Sequence, residues 1–275
     1  MLTSIAYLGP AGTFSEEAAK RFAGILGEEC QLTACATITA CADAVEDGVV
    51  QYAVVPLENS LEGSVHETLD ILTTGLQLMI VAELVLVINH ALLVVPEHTG
   101  NISKVYSHPQ ALAQCRSYLR RQWPDAQLLP LLSTADAAAF VAREGAGIAA
   151  IGSINAANQY GLRVLAKEIQ DSENQTRFVV LGKGTAMPGE LLKTSLLFSV
   201  KNVAGSLFAV LQAFAANEVN LTRIESRPAK RQLGDYIFFV DLDGSPDDPH
   251  VKAALRQVAA NAVMLKLLGS YPVLV

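Results

Sequence analysis

The amino-acid sequence predicts an α/β fold with two doubly wound α/β lobes, a cleft between them, and a ferredoxin-like βαββαβ unit after them. Apolar runs that lead into helices starting at Ser or Thr recur through 1–76 and 77–176, a pattern typical of doubly wound lobes. Residues 185–190 contain Pro188-Gly189 and indicate a linker. After the linker, the apolar runs follow the order βαββαβ. We therefore expect domains of residues 1–186 (lobes 1–76 plus 177–186, and 77–176) and 192–275.

The composition argues against several classes of protein. The chain has 275 residues, of which 51% are hydrophobic and 17% charged, and its net charge is -7. Binding to nucleic acid depends on basic patches, so we expect none here. The most apolar stretch, residues 78–95, is interrupted by Glu83, Asn89 and His90, which indicates two buried strands rather than a membrane span. We expect a soluble, cytoplasmic protein without membrane contact.

The spacing of the cysteines and histidines predicts no metal site. The four cysteines contain no Cys-x-x-Cys pair, and no two histidines follow the His-x-x-x-His pattern. We expect reduced thiols. The sequence also lacks the Gly-x-Gly-x-x-Gly fingerprint of dinucleotide-binding folds and the Gly-x-Ser-x-Gly elbow of hydrolases.

In the first lobe, polar residues follow two predicted strands. Strands are predicted at 4–8, 32–36 and 52–57, and helices at 13–23, 38–47 and 64–71. The turn Gly9-Pro10-Ala11-Gly12 leads to Thr13, which forms a capping box with Glu16; it is either an anion site at a helix N-terminus or a plain βα turn. Asn59 and Ser60 follow the third strand. They could bind a substrate hydroxyl or carboxylate, or bond their own backbone as turn residues.

The second lobe repeats this pattern. Strands are predicted at 78–87, 90–95, 105–106, 128–132 and 147–152, and helices at 110–121, 134–143 and 153–160. Gln110 and Gln114 lie one turn apart on one helix face. His108 precedes Pro109 at the start of this helix, where it is either a base or a structural residue.

The stretch Thr176-Arg177-Phe178 runs directly into the apolar residues 179–181. Ligands of open α/β sheets bind at strand ends. An Arg can hold a carboxylate in a bidentate fork, a Thr can give or take one hydrogen bond, and a Phe can flank a flat ring. Taken alone, the same residues also describe an ordinary strand start with a solvated Arg. Together with several helix N-termini facing one cleft, they predict a site for a small acid.

The third unit carries no catalytic constellation. Strands are predicted at 194–200, 221–226, 236–242 and 264–269, and helices at 206–217 and 249–260. A ferredoxin-like layout without such a constellation indicates a binding or assembly module.

Four groups of residues, followed by the motifs of the third unit, resemble in order and spacing the motifs of the prephenate dehydratase family over nearly the whole chain. The catalytic motifs are Gly9-Pro10-x-Gly12-Thr13-Phe14-Ser15, Pro56-Leu57-Glu58-Asn59-Ser60, Ser107-His108-Pro109-Gln110 with Gln114, and Thr176-Arg177-Phe178. The third unit resembles the family's ACT regulatory domain, with Gly205-Ser206-Leu207, Asn220-Leu221-Thr222 and Glu225-Ser226-Arg227-Pro228. No additional helical domain precedes these motifs, so the resemblance implies a monofunctional enzyme without a fused chorismate mutase.

The resemblance implies conversion of prephenate to phenylpyruvate with loss of CO2 and water, a step of phenylalanine synthesis. No metal or cofactor is implied, because aromatisation of the ring drives the reaction. Thr176 would donate a hydrogen bond to the leaving hydroxyl, Arg177 would hold a carboxylate, and Phe178 would wall the ring. The polar cage would be completed by Thr13, Asn59, Ser60, Ser107 and Gln114. Glu58 and Glu173 are rival general acids.

The resemblance also implies control by L-phenylalanine, bound between paired ACT domains, and therefore a homodimer or homotetramer. The expected effector residues are Asn202, Ala204, Gly205, Ser206, Leu207, Asn220, Glu225 and Ser226. Ala204 stands where many members of the family have Pro, and Ser206 where the family usually has Ala. Both differences lie in the effector loop, so they bear on effector strength rather than on catalysis.

Three other functions remain open at this stage. An arogenate dehydratase would perform the same chemistry on the amino analogue, and rates on the two substrates would distinguish it. A small-molecule sensor would share the two lobes of periplasmic-binding-protein-like folds, but it would bind ligand without turnover, and Thr176-Arg177-Phe178 disfavours it. A structural assembly protein leaves the polar helix starts unexplained.

Overall fold

The computed structural model describes residues 2–74, 77–184, 187–189, 192–229 and 234–274. The predicted linker at 185–190 and the interval between the predicted strands 221–226 and 236–242 lie partly outside these residues. The chain divides into two compact units: unit 1 comprises Met1–Thr68 and Val85–Phe178, and unit 2 comprises Leu69–Leu84 and Val179–Val275. Each unit thus combines two separate stretches of the chain, whereas the predicted domains are continuous and meet between residues 186 and 192. That boundary stays a prediction.

The helices and strands follow the expected α/β alternation. The helices are α1 (Phe14–Leu26), α2 (Ile38–Glu46), α3 (His66–Thr73), α4 (Pro109–Gln114), α5 (Arg116–Gln122), α6 (Thr134–Glu144), α7 (Ile154–Tyr160), α8 (Ser206–Ala216) and α9 (Pro249–Asn261). The first strands are β1 (Thr3–Leu8), β2 (Cys30–Cys35), β3 (Tyr52–Asn59), β4 (Gly63–Ser64), β5 (Met79–Val87), β6 (Ala91–Val94), β7 (Lys104–Ser107) and β8 (Gln127–Pro130). The others are β9 (Ile148–Gly152), β10 (Arg163–Ala166), β11 (Gln175–Gly182), β12 (Leu192–Ser199), β13 (Leu221–Pro228), β14 (Tyr236–Asp243) and β15 (Met264–Leu274).

Unit 1 contains two groups of strands. In the first, β1 pairs in parallel with both β2 and β3, and β3 neighbours β11. The second is a sheet of order β10-β6-β9-β7-β8, in which β7 is parallel to β8 and β9 while β6 is antiparallel to β9 and β10. The expected parallel β-turn-α arrangement is thus present, and the second sheet is mixed because β6 runs antiparallel to the other four strands.

In unit 2, β12 to β15 and the helices α8 and α9 form the predicted βαββαβ fold. The antiparallel strand order is β13-β14-β12-β15, and the core beneath it includes Phe198, Phe214 and Val240. Strand β15 continues to Leu274, past its predicted end at Gly269, and pairs in parallel with β5 through Val273 and Glu83. A Cβ at Gly269 would lie 2.1 Å from the carbonyl oxygen of Ile80, so this close passage requires glycine.

One predicted helix is divided in two. Residues 110–121 form α4 and α5, which meet at Cys115. Asp171 causes the break: its backbone N–H donates to the carbonyl oxygen of Gln114, and its carboxylate accepts from the N–H groups of Ser117 and Tyr118. A side chain far away in sequence thus caps the start of α5, which no local signal announces. No helix in the described part of the chain is long and apolar enough to cross a membrane.

Candidate active site

Unit 1 contains a cavity of about 270 Å³, close to the lower end of the ~300–1,000 Å³ typical of small-molecule sites. It is bounded by strand ends and by the first residues of α1, α4 and α6. The lining residues are Leu8, Thr13, Phe14, Ser15, Pro56, Asn59, Ile88, His90, His108, Gln110, Ala111, Gln114, Leu132, Ser133, Thr134, Asn174, Thr176 and Phe178. Polar side chains therefore outnumber apolar ones on this wall, which suits a small polar organic ligand.

Three helix N-termini reach this cavity. Thr13 caps α1, His108 caps α4 and Ser133 caps α6, and each side chain accepts a hydrogen bond from an N–H of the first turn. The remaining first-turn N–H groups of a helix have no intrahelical partner, and the helix dipole adds positive potential there. None of the described residues that line the cavity is a Lys or an Arg. The lining itself therefore offers an anion backbone N–H groups rather than cationic side chains.

The turn before α1 is held tightly in place. Gly12 has φ of +90°, and a Cβ there would lie 3.2 Å from the backbone of Ala156. The Gly12 N–H donates to Glu16 Oε2 at 2.6 Å. In the predicted capping box, Glu16 would instead accept from the N–H of Thr13. Burial raises the pKa of Glu16, but the Gly12 N–H together with Lys20 and Asn155 outweighs it, and the net pKa is lowered.

A hydrogen-bonded chain of side chains crosses the polar wall. Asn59 Nδ2 donates to Thr176 Oγ1 at 2.9 Å and to Asn174 Oδ1 at 2.7 Å. Asn174 Nδ2 in turn donates to Gln114 Oε1 at 3.1 Å, and His90 Nε2 lies 3.0 Å from the same oxygen. Three predicted site residues are thereby brought together with two that were not assigned a role, Asn174 and His90.

His90 is a buried histidine on this wall. Its ring meets that of Phe14 edge to face, with centroids 5.6 Å apart. Burial lowers the pKa of His90, and the hydrogen bond with Gln114 offsets this only in part. The ring is therefore neutral near pH 7. The sequence signal for His90 is its interruption of an otherwise apolar run, which argues against a membrane span and does not by itself indicate a binding role.

Thr176, Arg177 and Phe178, at the start of β11, have different surroundings. Thr176 and Phe178 line the cavity, whereas Arg177 does not. Successive side chains of a strand alternate between its faces, so Arg177 lies opposite the other two. Its guanidinium lies 3.7 Å from the Glu58 carboxylate, and its side chain is 11% exposed. A direct contact of Arg177 with substrate stays a prediction.

Two further predicted binding residues support the wall from behind. The Ser60 hydroxyl accepts from the N–H of Gln175 at 3.0 Å. Ser107 is fully buried and donates to the carbonyl oxygen of Ile151 at 2.8 Å. Neither is among the lining residues, and neither are the rival acids Glu58 and Glu173. Their roles towards substrate remain predictions.

Unit 2 holds a separate, smaller cavity at the predicted effector loop. Its volume is about 130 Å³, and Asn202, Ser206 and Leu207 are among its lining residues. Gly205, with φ of +84°, is the cap residue of α8 and follows Ala204. The other predicted effector residues lie elsewhere in unit 2: Asn220 donates to Asp243, Glu225 pairs with Arg223, and Ser226 is exposed on β13.

Comparison with known proteins identifies both parts of the chain. The family model described as "Prephenate dehydratase" matches residues 5–186, and the "ACT domain" model matches residues 194–260. The bifunctional chorismate mutase/prephenate dehydratase of Aquifex aeolicus is 42% identical over 98% of this chain and 73% of its own length.

Two solved structures share the fold closely. Prephenate dehydratase from Arthrobacter aurescens, in complex with L-Phe, is 34% identical with a TM-score of 0.89, covering 98% of this chain and 90% of that one. GqqA, described as a novel type of quorum quenching acylase, is 30% identical with a TM-score of 0.89 and covers 98% of both chains. The matched models and the relatives together show that this chain belongs to the prephenate dehydratase family of lyases and carries an ACT domain after the dehydratase region.

Proposed function

We propose that the unit 1 cavity converts prephenate to phenylpyruvate, CO2 and water, with Thr176 as the hydrogen-bond donor to the leaving hydroxyl. The observation that carries this role is the bond from Asn59 Nδ2 to Thr176 Oγ1. Since the Thr176 oxygen already accepts there, its own hydrogen is available to a ligand in the cavity.

The backbone fixes the direction of that bond. Asn59 Oδ1 accepts from the N–H groups of Leu61 and Glu62 at 3.0 and 3.2 Å. A backbone N–H can only donate, so the amide oxygen of Asn59 must face these two groups and its NH2 must face Thr176. The orientation of the Thr176 hydroxyl therefore follows from main-chain geometry.

The proposed chemistry balances with one proton taken up. The C–O bond of the ring hydroxyl breaks and its electron pair leaves on oxygen, which takes a proton and departs as water. The bond between the ring and its carboxylate breaks in the same sense, its electrons complete the aromatic ring, and CO2 leaves. An unperturbed Thr hydroxyl is a weak acid, so positioning and preorganised hydrogen bonds supply much of the acceleration, and solvent replaces the proton.

The two carboxylates of the substrate require positive potential. The N-termini of α1, α4 and α6 supply it at the cavity wall. Arg177 remains the proposed side-chain partner, and to reach a carboxylate in the cavity it would have to turn away from Glu58. Phe178, on the cavity side of the same strand, would wall the ring.

The test is turnover of prephenate, followed as phenylpyruvate absorbance in alkali. Thr176→Val keeps the shape of the side chain and removes the donor, and it should lower kcat by about 10²-fold, within the range of general acid catalysis. Thr176→Ser keeps the hydroxyl and is the matched control. A Thr176→Val enzyme as fast as the wild type would reject the assignment. Arogenate, assayed in parallel, settles the choice between the two related substrates.

The acylase described for one structural relative would need a different arrangement. Acyl transfer uses a nucleophile within hydrogen-bond reach of a general base. In the described part of this cavity, one ring nitrogen of each of the two histidines meets an amide group rather than a hydroxyl or a thiol: His90 Nε2 bonds Gln114, and His108 Nδ1 accepts from the N–H of Gln110. This pairing favours the dehydratase.

We also propose that L-phenylalanine binds unit 2 at the cavity beside Asn202 and Ser206 and inhibits the enzyme, in a homodimer or homotetramer in the cytoplasm. The complex of the Arthrobacter aurescens relative with L-Phe supports the ligand. Calorimetry on the full chain should show binding that weakens in Asn202→Ala. Asn261→Ala is the control, because Asn261 bonds only its own helix at Gln257 in the described structure. Absence of heat with the wild type would contradict the effector site.

A further inference from the structure

Two residues that line the cavity each contain a buried polar atom with no hydrogen-bond partner among the described residues: His90 Nδ1 and Gln114 Nε2. Their side chains are bonded to each other through their other polar atoms, His90 Nε2 and Gln114 Oε1, at 3.0 Å. Buried polar groups are normally satisfied, and an unsatisfied one costs about 1–3 kcal/mol. Two such atoms on adjoining residues of one cavity indicate a bound group that can both donate and accept.

The identity of each free atom follows from the chain of bonds described above. The backbone orients Asn59, so Asn174 Oδ1 accepts from Asn59 and Asn174 Nδ2 donates to Gln114 Oε1. That oxygen is an acceptor only, and therefore His90 Nε2 must carry the hydrogen that faces it. A neutral His90 then has a bare Nδ1, which is an acceptor, while Gln114 Nε2 is a donor.

Prephenate offers only one match for such an acceptor. As a dianion with a ketone, it has acceptor oxygens in its side chain and in both carboxylates, and its only hydrogen-bond donor is the ring hydroxyl. A carboxylate beside a bare Nδ1 would bring two lone pairs together. Accepting the role of the cavity proposed above, on which this step rests, we infer that His90 Nδ1 accepts the hydrogen bond of the substrate's ring hydroxyl and makes His90 a specificity-determining residue.

The same position explains the other free atom. A hydroxyl oxygen can accept two hydrogen bonds while it donates one. Gln114 Nε2 and the Thr176 hydroxyl would be the two donors to this oxygen, and His90 Nδ1 would be its acceptor. The lowered pKa of His90 agrees with this role, because a protonated ring would lose its acceptor atom. In this arrangement His90 recognises the group that must leave and does not supply its proton.

The first test reads the ring nitrogens directly. Nitrogen NMR of histidine-labelled wild-type protein near neutral pH should show His90 as the Nε2–H tautomer, assigned by the signal that disappears in His90→Gln. A protonated Nδ1, or an imidazolium, would overturn the inference. This measurement needs no turnover, so it stands even if prephenate is not the substrate, and lack of turnover by the wild type would count against the proposed function instead.

The second test uses a ligand that lacks the hydroxyl. In His90→Gln, the side-chain amide can still donate to Gln114 but offers no acceptor at the Nδ1 position. KM for prephenate should rise about 5- to 10-fold, the range of one neutral hydrogen bond, while inhibition by the product phenylpyruvate, which has no ring hydroxyl, should stay unchanged. His90→Asn restores an acceptor oxygen near Nδ1 and should recover part of the loss. Equal weakening of both ligands in His90→Gln would reduce His90 to a structural role and overturn the inference.

Discussion

Asn59→Asp should reverse the direction of the hydrogen-bonded chain that orients Thr176. The two residues differ only in that an NH2 becomes a carboxylate oxygen, and the N–H groups of Leu61 and Glu62 still hold the other oxygen. The new oxygen cannot donate to Thr176, so the Thr176 hydroxyl turns and donates to Asp at this position. A hydrogen bond to a charged group contributes about 1.5–3 kcal/mol, against about 0.5–1.5 kcal/mol for one to the neutral substrate hydroxyl. The Thr176 hydroxyl therefore donates its hydrogen bond to this carboxylate rather than to the substrate.

The expected result is loss of the same proposed hydrogen-bond donor that Thr176→Val removes. In Asn59→Asp, kcat should fall about 10²-fold, or about 2.7 kcal/mol in activation free energy. The added negative charge also repels a dianion and raises KM, so the argument depends on kcat at saturating substrate. The reversal should continue along the chain, with Asn174 and Gln114 flipping their amides. Gln114 would then donate to His90 Nε2 and move the ring hydrogen to Nδ1.

A double-mutant cycle provides the decisive assay. If Asn59 acts by orienting Thr176, then Asn59→Asp combined with Thr176→Val should be no slower in kcat than Asn59→Asp alone, because both changes remove one interaction. Asn155→Asp, which alters an amide that donates to Glu16 at 2.9 Å outside this chain of bonds, is the matched control for added charge. Losses that multiply in the double variant, or an unchanged His90 tautomer in Asn59→Asp, would refute the reasoning.

Three further outcomes concern stability and are measured by chemical denaturation. Gly12→Ala should lower the free energy of unfolding by about 1–3 kcal/mol, because φ is +90° and the new Cβ would lie 3.2 Å from the backbone of Ala156; Gly24→Ala, with no atom within 4 Å, is its control. Glu16, whose folded pKa is lowered, contributes stability that is present above its unfolded pKa of about 4.3 and is lost as pH falls through the folded value. Glu16→Gln should therefore be less stable at pH 7 and lose less stability on acidification, and an equal acid loss in both proteins would contradict this. Lys193→Met should cost about 3–5 kcal/mol, because it removes the ammonium group that lies 2.6 Å from the buried carboxylate of Glu83; a loss below 1 kcal/mol would contradict that reading.

The local elements of the fold were predictable because their signals are local. Thr13, Ser133 and Ser153 each cap a helix where a Ser or Thr follows a strand, and Gly161 ends α7 in the left-handed conformation. The βαββαβ order of the third unit was confirmed as well. Propensities and caps act over a few residues, so a single sequence contains them.

The break between α4 and α5 and the extension of β15 were missed for one reason. Asp171 caps α5 from a distant segment, and β15 continues because β5 offers it a parallel partner at Val273. In each case the deciding contact joins residues far apart along the chain. Local pattern gives the continuous helix and the shorter strand instead.

The same distinction between local and long-range information applies to the candidate site. The sequence by itself determined which residue types gather at the helix starts and strand ends, and it was enough to relate Asn59, Gln114 and Thr176 to one chemistry. Only the tertiary structure decided that Arg177 faces Glu58 rather than the cavity, and that His90 and Asn174 complete the polar wall. The sequence contains the residue types and their order, whereas the direction of each hydrogen bond depends on which atoms of distant residues come together in the fold.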